Sequence, residues 1–210
     1  QRAQPQVPRQ EVREEITIPM LIEGCDADRL AARFGTPLYV YSRRSILERF
    51  WSVKSAFRGL RPLICYAVKA NTNRALCRLL AGEGAGADIV SGGELLRALA
   101  AGFPAGRIVF SGIGKTREEL ELALRRGVLT INVESAEELQ AVSRAARRLK
   151  KTAPVSVRLN PDVDAGTHPH ITTGLAHNKF GVEEKEALAL YRRAAADPWL
   201  SVRGVQCHIG

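Results

Sequence analysis

Two spacings of apolar residues alternate along the chain. Short apolar runs fall at Leu63 to Val68, Ala87 to Val90, Arg107 to Phe110, Leu129 to Val133, Pro154 to Leu159 and Val202 to Ile209. Each of the first five gives way to a stretch with apolar residues at helical spacing. None of the short runs alternates apolar with polar residues, so they are expected to be strands of a parallel sheet, apolar on both faces and covered by helices. The helices announce their own starts. Ser135-Ala-Glu-Glu138 and Thr116-Arg-Glu-Glu119 are capping-box patterns, in which a hydroxyl takes an orphan amide and the Glu reaches back. Ser45-Ile-Leu-Glu48 predicts a further start, with Ile46, Phe50, Val53 and Phe57 facing inward. Gly102 before Pro104, Gly127, and Pro198 are stop signals.

Most successive strands begin about 20 to 25 residues apart, the pitch of βα units, which suits a (β/α)8 barrel or a doubly wound sheet. A doubly wound nucleotide fold places G-x-G-x-x-G in its first βα turn, and here that turn reads Val68-Lys-Ala-Asn-Thr-Asn73, which favours the barrel. Six strands are visible in 210 residues, whereas a complete barrel has eight and runs to about 250 residues. The predicted fold class is therefore α/β, a partial (β/α)8 TIM-type barrel. Residues 1–15 are polar, with Pro and Arg and no apolar core of the kind a secretory signal carries, and are expected to form a disordered tail. Residues 16–36, with a strand-like run from Ile16 to Gly24, are expected to form an N-terminal strand and short helix, and residues 37–210 the truncated barrel.

No apolar run approaches the roughly 20 residues that a membrane helix needs. The net charge of +9 comes largely from Arg, but these are spread through the predicted helices, often beside Glu, so a solvated surface is expected rather than a nucleic-acid footprint. The four Cys form no C-x-x-C pair; reduced thiols in a cytoplasmic protein are the expectation.

Barrel chemistry sits where strands give way to loops. The first strand ends in Lys69, which is either a side chain reaching solvent or an amine kept nucleophilic for a Schiff base. The second carries Asp88 near its end and is followed by Glu94, two acids flanking Gly92-Gly93; the fifth ends in Arg158 and the sixth contains His208, so that a Lys, an Arg, a His and carboxylates would converge on one face. Three other patterns carry less. Ser111-Gly-Ile-Gly-Lys115-Thr116 looks like the end of a P-loop, but Val109 stands where the first Gly should be. His168, His170 and His177 lack a Cys or acid at ligand spacing, so no metal is expected. Cys207 and His208 are neighbours on a strand and point to opposite faces.

Eight segments then share a further likeness: Tyr66-Ala-Val-Lys-Ala-Asn71, Gly86-Ala-Asp-Ile-Val-Ser-Gly-Gly-Glu94, Phe110-Ser-Gly, Asn132-Val-Glu-Ser135, Asn160-Pro-Asp-Val-Asp164, Thr167-His-Pro-His-Ile-Thr-Thr-Gly174, Asn178-Lys-Phe-Gly181 and Cys207-His-Ile-Gly210. In this order they resemble the diaminopimelate decarboxylase family of pyridoxal-phosphate enzymes, whose barrel is of the alanine-racemase-like class and which make lysine. The first segment is shared with ornithine and arginine decarboxylases; the stretch from Asn160 to Gly181 points to the diaminopimelate branch. The resemblance implies that Lys69 is the Schiff-base lysine, that His208 stacks on the pyridine ring, and that Asp88, Glu94 and Arg158 line the cofactor pocket. It implies pyridoxal 5'-phosphate as cofactor, a small amino-acid substrate and a homodimer.

It also implies that several of the family's parts fall after residue 210. These are the Gly-rich phosphate loop, the acidic partner of the pyridine nitrogen, a catalytic Cys, the ligands of the far substrate carboxylate, and a C-terminal β-domain with which residues 16–36 would associate. The chain by itself is thus expected to hold an incomplete, inactive site. Two other readings stay open: a related ornithine, arginine or carboxynorspermidine decarboxylase, and a noncatalytic barrel protein that binds the same cofactor.

Overall fold

A computed structural model describes residues 20–161 and 180–208, and the chain divides after Ser52 into two compact units. In the first unit β1 (Leu21–Ile22) and β2 (Cys25–Asp26) pair antiparallel across a turn at Glu23-Gly24, so the run predicted as one strand folds back on itself within its described part. The predicted tail lies outside the described residues. Helix α1 (Ala27–Phe34) follows directly, capped by Asp26, whose carboxylate accepts from Arg29 N–H at 3.0 Å.

Helix α2 (Arg43–Ala56) starts earlier than Ser45 predicts. Ser42 is the capping residue: its hydroxyl accepts from Ser45 N–H at 3.0 Å. Glu23 fixes this corner by accepting from both the Ser42 hydroxyl and Arg44 N–H. Of the four side chains expected to face inward, Phe50 is buried; Val53 and Phe57 are about half exposed, and Phe57 lies beyond the last helical residue.

Among its described residues the second unit contains six strands, β3 (Cys65–Ala67), β4 (Gly86–Ile89), β5 (Ile108–Phe110), β6 (Thr130–Val133), β7 (Ala153–Leu159) and β8 (Leu200–Cys207). Between them run α3 (Arg74–Gly82), α4 (Gly92–Ala101), α5 (Arg117–Arg126), α6 (Ala136–Leu149) and α7 (Glu184–Ala196). Every neighbouring pair is parallel, and the spatial order follows the chain order without interruption. A doubly wound sheet reverses its order at a switch point; this sheet does not, and it has the winding of a barrel wall.

The strands are not apolar on both faces, contrary to expectation. Ala87, Ile89, Ile108, Phe110, Ile131, Val133, Ala153, Val155 and Val157 are all at most 1% exposed and face the helices. Leu95 and Ala98 of α4, Leu120 and Ala123 of α5, Val142 and Ala146 of α6, and Leu190 of α7 are likewise buried. The intervening positions are largely polar: Asp88, Thr130, Asn132, Ser156, Arg158 and Gln206. Thr130 and Ser156 share a buried hydrogen bond of 2.9 Å. One face of the sheet thus makes the core, and the other is built to receive something polar.

Three strand-to-helix corners repeat one device. Ser91, Thr116 and Ser135 cap α4, α5 and α6 through their hydroxyls, and three residues on Glu94, Glu119 and Glu138 reach back to Val90 N–H, Thr116 N–H and Glu134 N–H at 2.9, 2.9 and 2.7 Å. Only at Thr116 is the box closed on the capping residue itself; at the other two the carboxylate takes the amide one residue earlier. The corners are also tied to their neighbours. Glu119 Oε1 accepts from Gly92 N–H at 2.7 Å, and Lys115 Nζ lies 2.6 Å from Glu138 Oε1.

Candidate active site at the carboxyl ends of the strands

The polar face and the loops that follow it enclose a cleft of about 510 Å³. Lys69, Asp88, Arg158 and His208 all line it, together with Cys65, Ser111, Asn132, Phe180 and Gln206. Four of the five residues singled out from the sequence are therefore brought together from four different strand ends.

Lys69 stands in a single 3-10 turn, Val68–Ala70, just past β3. Val68 is wholly buried, which anchors the turn and leaves the next side chain to the cleft. The turn is closed by Asn71 N–H donating to Val68 O at 3.2 Å, and held from the strand by the Tyr66 hydroxyl donating to Asn71 O at 3.1 Å. Asn73 then caps α3 through Ala75 N–H.

Asp88 stands on β4, between β3 and β5. Ser111 donates its hydroxyl to Asp88 Oδ1 at 2.5 Å and accepts from Asn132 Nδ2 at 3.0 Å. Burial raises the Asp88 carboxyl above its usual range, opposed by the Ser111 hydrogen bond and then by Lys69, His208 and Arg158. Burial also pushes the imidazolium of His208 down, and the positive charges of Arg158 and Lys69 act in the same direction, against Asp88 and Glu134. Cys65, beside Asp88, is a neutral thiol with its pKa pushed up to about 11, mainly by burial. The site thus sets the basic side chains Lys69 and Arg158 and the imidazole of His208 around one carboxylate.

Arg158, at the end of β7, is gripped on two sides. Its NH1 lies 3.0 Å from Glu134 Oε1, and its Cζ lies 5.2 Å from the centre of the Phe180 ring. The Phe180 segment docks on β7 through Val182 N–H to Arg158 O at 2.9 Å and Asn160 N–H to Val182 O at 2.8 Å. Gly181 is required there: its φ is +80°, and a Cβ would meet Arg158 O at 3.0 Å and Asn160 N at 3.1 Å.

Glu94 stands apart from the other four. Its carboxylate closes the α4 corner on Val90 N–H, and it does not line the cleft. Lys115 is spoken for as well. Its side chain is fully buried, paired with Glu138, and donates to Asn132 O at 2.7 Å and to Gly112 O, so the P-loop likeness has no free lysine behind it. His168, His170 and His177 lie outside the described residues. Cys207 does not line the cleft that His208 enters, in keeping with their opposite faces. A second cleft of about 490 Å³, between α6 and α7, is lined by Arg144, Arg147, Arg148 and Arg193 on the outer side of the sheet.

Glu134, Ser111, Asn132 and Phe180 were not singled out as site residues from the sequence. Each nevertheless lies in a segment of the family likeness; Asn132 follows the alternation of β6, and Glu134 stands just past its end.

The profile of the family "Pyridoxal-dependent decarboxylase, pyridoxal binding domain" matches residues 43–210. The chain is 54% identical over 182 residues to the diaminopimelate decarboxylase of Neisseria meningitidis serogroup B, covering 87% of this chain and 44% of that protein. It is 53% identical over 191 residues to that of Pseudomonas aeruginosa, covering 91% and 46%. Among solved structures, diaminopimelate decarboxylase from Helicobacter pylori complexed with L-lysine superposes with a TM-score of 0.85 at 47% identity, covering 87% of this chain and 46% of that one. The chain thus spans a little under half the length of these relatives.

Proposed function

The chain belongs to the pyridoxal-dependent decarboxylases, within their pyridoxal-binding domain, and on that premise we propose that it carries the Schiff-base side of the active site of an enzyme converting meso-diaminopimelate to L-lysine and CO2. The observation that supports this reading best is the convergence of Lys69, Asp88, Arg158 and His208 on one cleft at the carboxyl ends of sequential parallel strands. No described helix is long and apolar enough to cross a membrane. We further propose that the enzyme works in the cytoplasm as a homodimer.

The cleft residues fit the family's cofactor, pyridoxal 5'-phosphate. A volume of about 510 Å³ lies in the ordinary range for small-ligand sites. Lys69 supplies the primary amine an aldehyde needs, Arg158 and His208 supply hydrogen-bond donors for anionic or phenolic oxygens, and the Asp88–Ser111–Asn132 chain supplies a fixed polar wall. When bound, the cofactor supplies the electron sink for the bond that breaks.

The remaining work falls to the protein. Lys69, at the cleft wall, would hold the cofactor through its primary amine. Depressed protonation leaves His208 a neutral ring near pH 7, suited to lie against another ring rather than to repel the cationic groups around it. Asp88 is held in place by Ser111, and Lys69, His208 and Arg158 favour its ionised form against the burial that raises its pKa. The oriented groups hold the scissile carboxylate in one geometry, and orientation of this kind can lower a barrier by several kcal/mol, up to about 10.

The test is to assay the intact enzyme and its Lys69→Ala variant on meso-diaminopimelate, ornithine, arginine and carboxynorspermidine, while following pyridoxal phosphate absorbance. Release of CO2 and L-lysine from diaminopimelate, lost in Lys69→Ala, supports the proposal. Preference for one of the other three amines overturns the substrate assignment. Cofactor absorbance without turnover of any substrate overturns the enzymatic reading in favour of a cofactor-binding protein.

A further inference from the structure

Behind the cleft lies a second layer of charge. The Glu134 side chain is 3% exposed and Arg158 12% exposed, and they share one hydrogen bond, NH1 to Oε1 at 3.0 Å. The other oxygen of Glu134 is buried and has no hydrogen-bond partner among the described residues. A buried carboxylate oxygen left without a hydrogen bond costs on the order of 1–3 kcal/mol. Glu134 does not line the cleft, so it does not act by touching what binds there.

What holds Glu134 is equally specific. Its own N–H donates to Glu138 Oε2 at 2.7 Å, and the other oxygen of Glu138 pairs with the fully buried Lys115 at 2.6 Å. Lys115 also donates to Asn132 O and Gly112 O. The same lysine therefore fixes the backbone beside Ser111 and at Asn132, which carry Asp88, and the acid that fixes Glu134, which carries Arg158.

We propose that Glu134 is a positioning residue for Arg158. Braced by Glu138 and Lys115, it sets the guanidinium against the Phe180 ring at the height where it faces the cleft. This deepens the function proposed above and rests on it in one respect, that Arg158 meets the cofactor or substrate. The single hydrogen bond commits one of the guanidinium's five N–H groups to Glu134, where a two-point pair would commit two.

The experiment is a double-mutant cycle in the intact enzyme on Glu134→Gln, Arg158→Ala and the double variant, with Glu134→Asp as the conservative control. Pyridoxal phosphate affinity of the apoenzyme is read by absorbance titration, kcat and KM are read separately, and circular dichroism monitors folding. Glu134→Gln is expected to weaken cofactor affinity or lower kcat by about 10- to 100-fold, the scale of a small misplacement of an orienting group. In the Arg158→Ala background it is expected to add less than about twofold, because its effect passes through Arg158. Partial recovery by Glu134→Asp at unchanged fold supports positioning.

The proposal is overturned if Glu134→Gln leaves affinity and kcat unchanged, or adds its full effect in the absence of Arg158. If Glu134→Gln fails to fold, the same cycle is run with Glu134→Asp, and equal losses with and without Arg158 again overturn it. A wild-type apoenzyme that does not bind pyridoxal phosphate at all refutes the proposed function itself, a result distinct from any of these.

Discussion

Ser111 donates to Asp88 at 2.5 Å, across two neighbouring strand ends. This hydrogen bond does most to hold the Asp88 carboxyl down against the burial that raises it. In Ser111→Ala that restraint goes and the burial stays, so the Asp88 midpoint moves further upward. A carbon-13 NMR titration of the Asp88 carboxyl checks this, and identical midpoints in the two proteins would refute it.

His208 gives the opposite pH behaviour. Its folded pKa lies below the ordinary value of 6.5, so over the interval between the two values the unfolded chain binds more protons than the folded one. The stability it contributes is therefore complete above about pH 6.5 and is lost as the pH falls through the folded value. Urea midpoints of the apoenzyme measured from pH 7.5 to pH 5 are expected to fall less steeply in His208→Gln than in the wild type. Parallel slopes would show that His208 is not depressed.

Lys115 and Glu138 form an ion pair with side chains 0% and 11% exposed. Removing one partner of a buried pair leaves the other charge uncompensated and costs about 3–5 kcal/mol. Lys115→Met is expected to destabilise by that amount in chemical denaturation. Adding Glu138→Leu should recover part of the loss while still removing the acceptor of Glu134 N–H, and a strictly additive pair of losses would mean the two do not interact.

Gly181 tests the grip on Arg158 from its other side. In Gly181→Ala the left-handed conformation costs about 1–2 kcal/mol, and the new Cβ presses on Arg158 O and Asn160 N. The Phe180 segment must lift from β7, so pyridoxal phosphate affinity of the apoenzyme is expected to fall by about tenfold, the scale of a small displacement of an orienting group. A purely local strain would lower the melting temperature and leave the affinity alone.

The path from sequence to site was uneven, for physical reasons. Strand positions, sequential parallel winding and the convergence of Lys69, Asp88, Arg158 and His208 were all legible, because a barrel reads its site off its strand ends. The polar face was legible only in part. β3, β4 and β5 have three or four residues, too few for alternation to stand out, whereas Thr130-Ile-Asn-Val133 and Val155-Ser-Val-Arg158 do alternate. Only the register, with Ala67 beside Asp88 and Arg158 beside Gln206, lines them up. Glu94 was legible as an acid near the site, yet its spacing from Ser91 also fits a helix cap, and the cap is where its carboxylate lies. The Glu134–Arg158 pair joins residues 24 apart, with a helix between them, and no local pattern signals such a contact.

The repeated strand-to-helix corners carry an implication for how this end of the sheet tolerates change. Glu119 serves its own helix start and the neighbouring Gly92 N–H; Glu138 serves the amide of Glu134 and the neighbouring Lys115. The rim is laced rather than merely tied off at each corner. A substitution such as Glu119→Ala, which by local rules removes one helix cap, loosens two adjacent βα units at once. Drift in the loops around the cleft is accordingly constrained most at acids that look, in isolation, like routine helix punctuation.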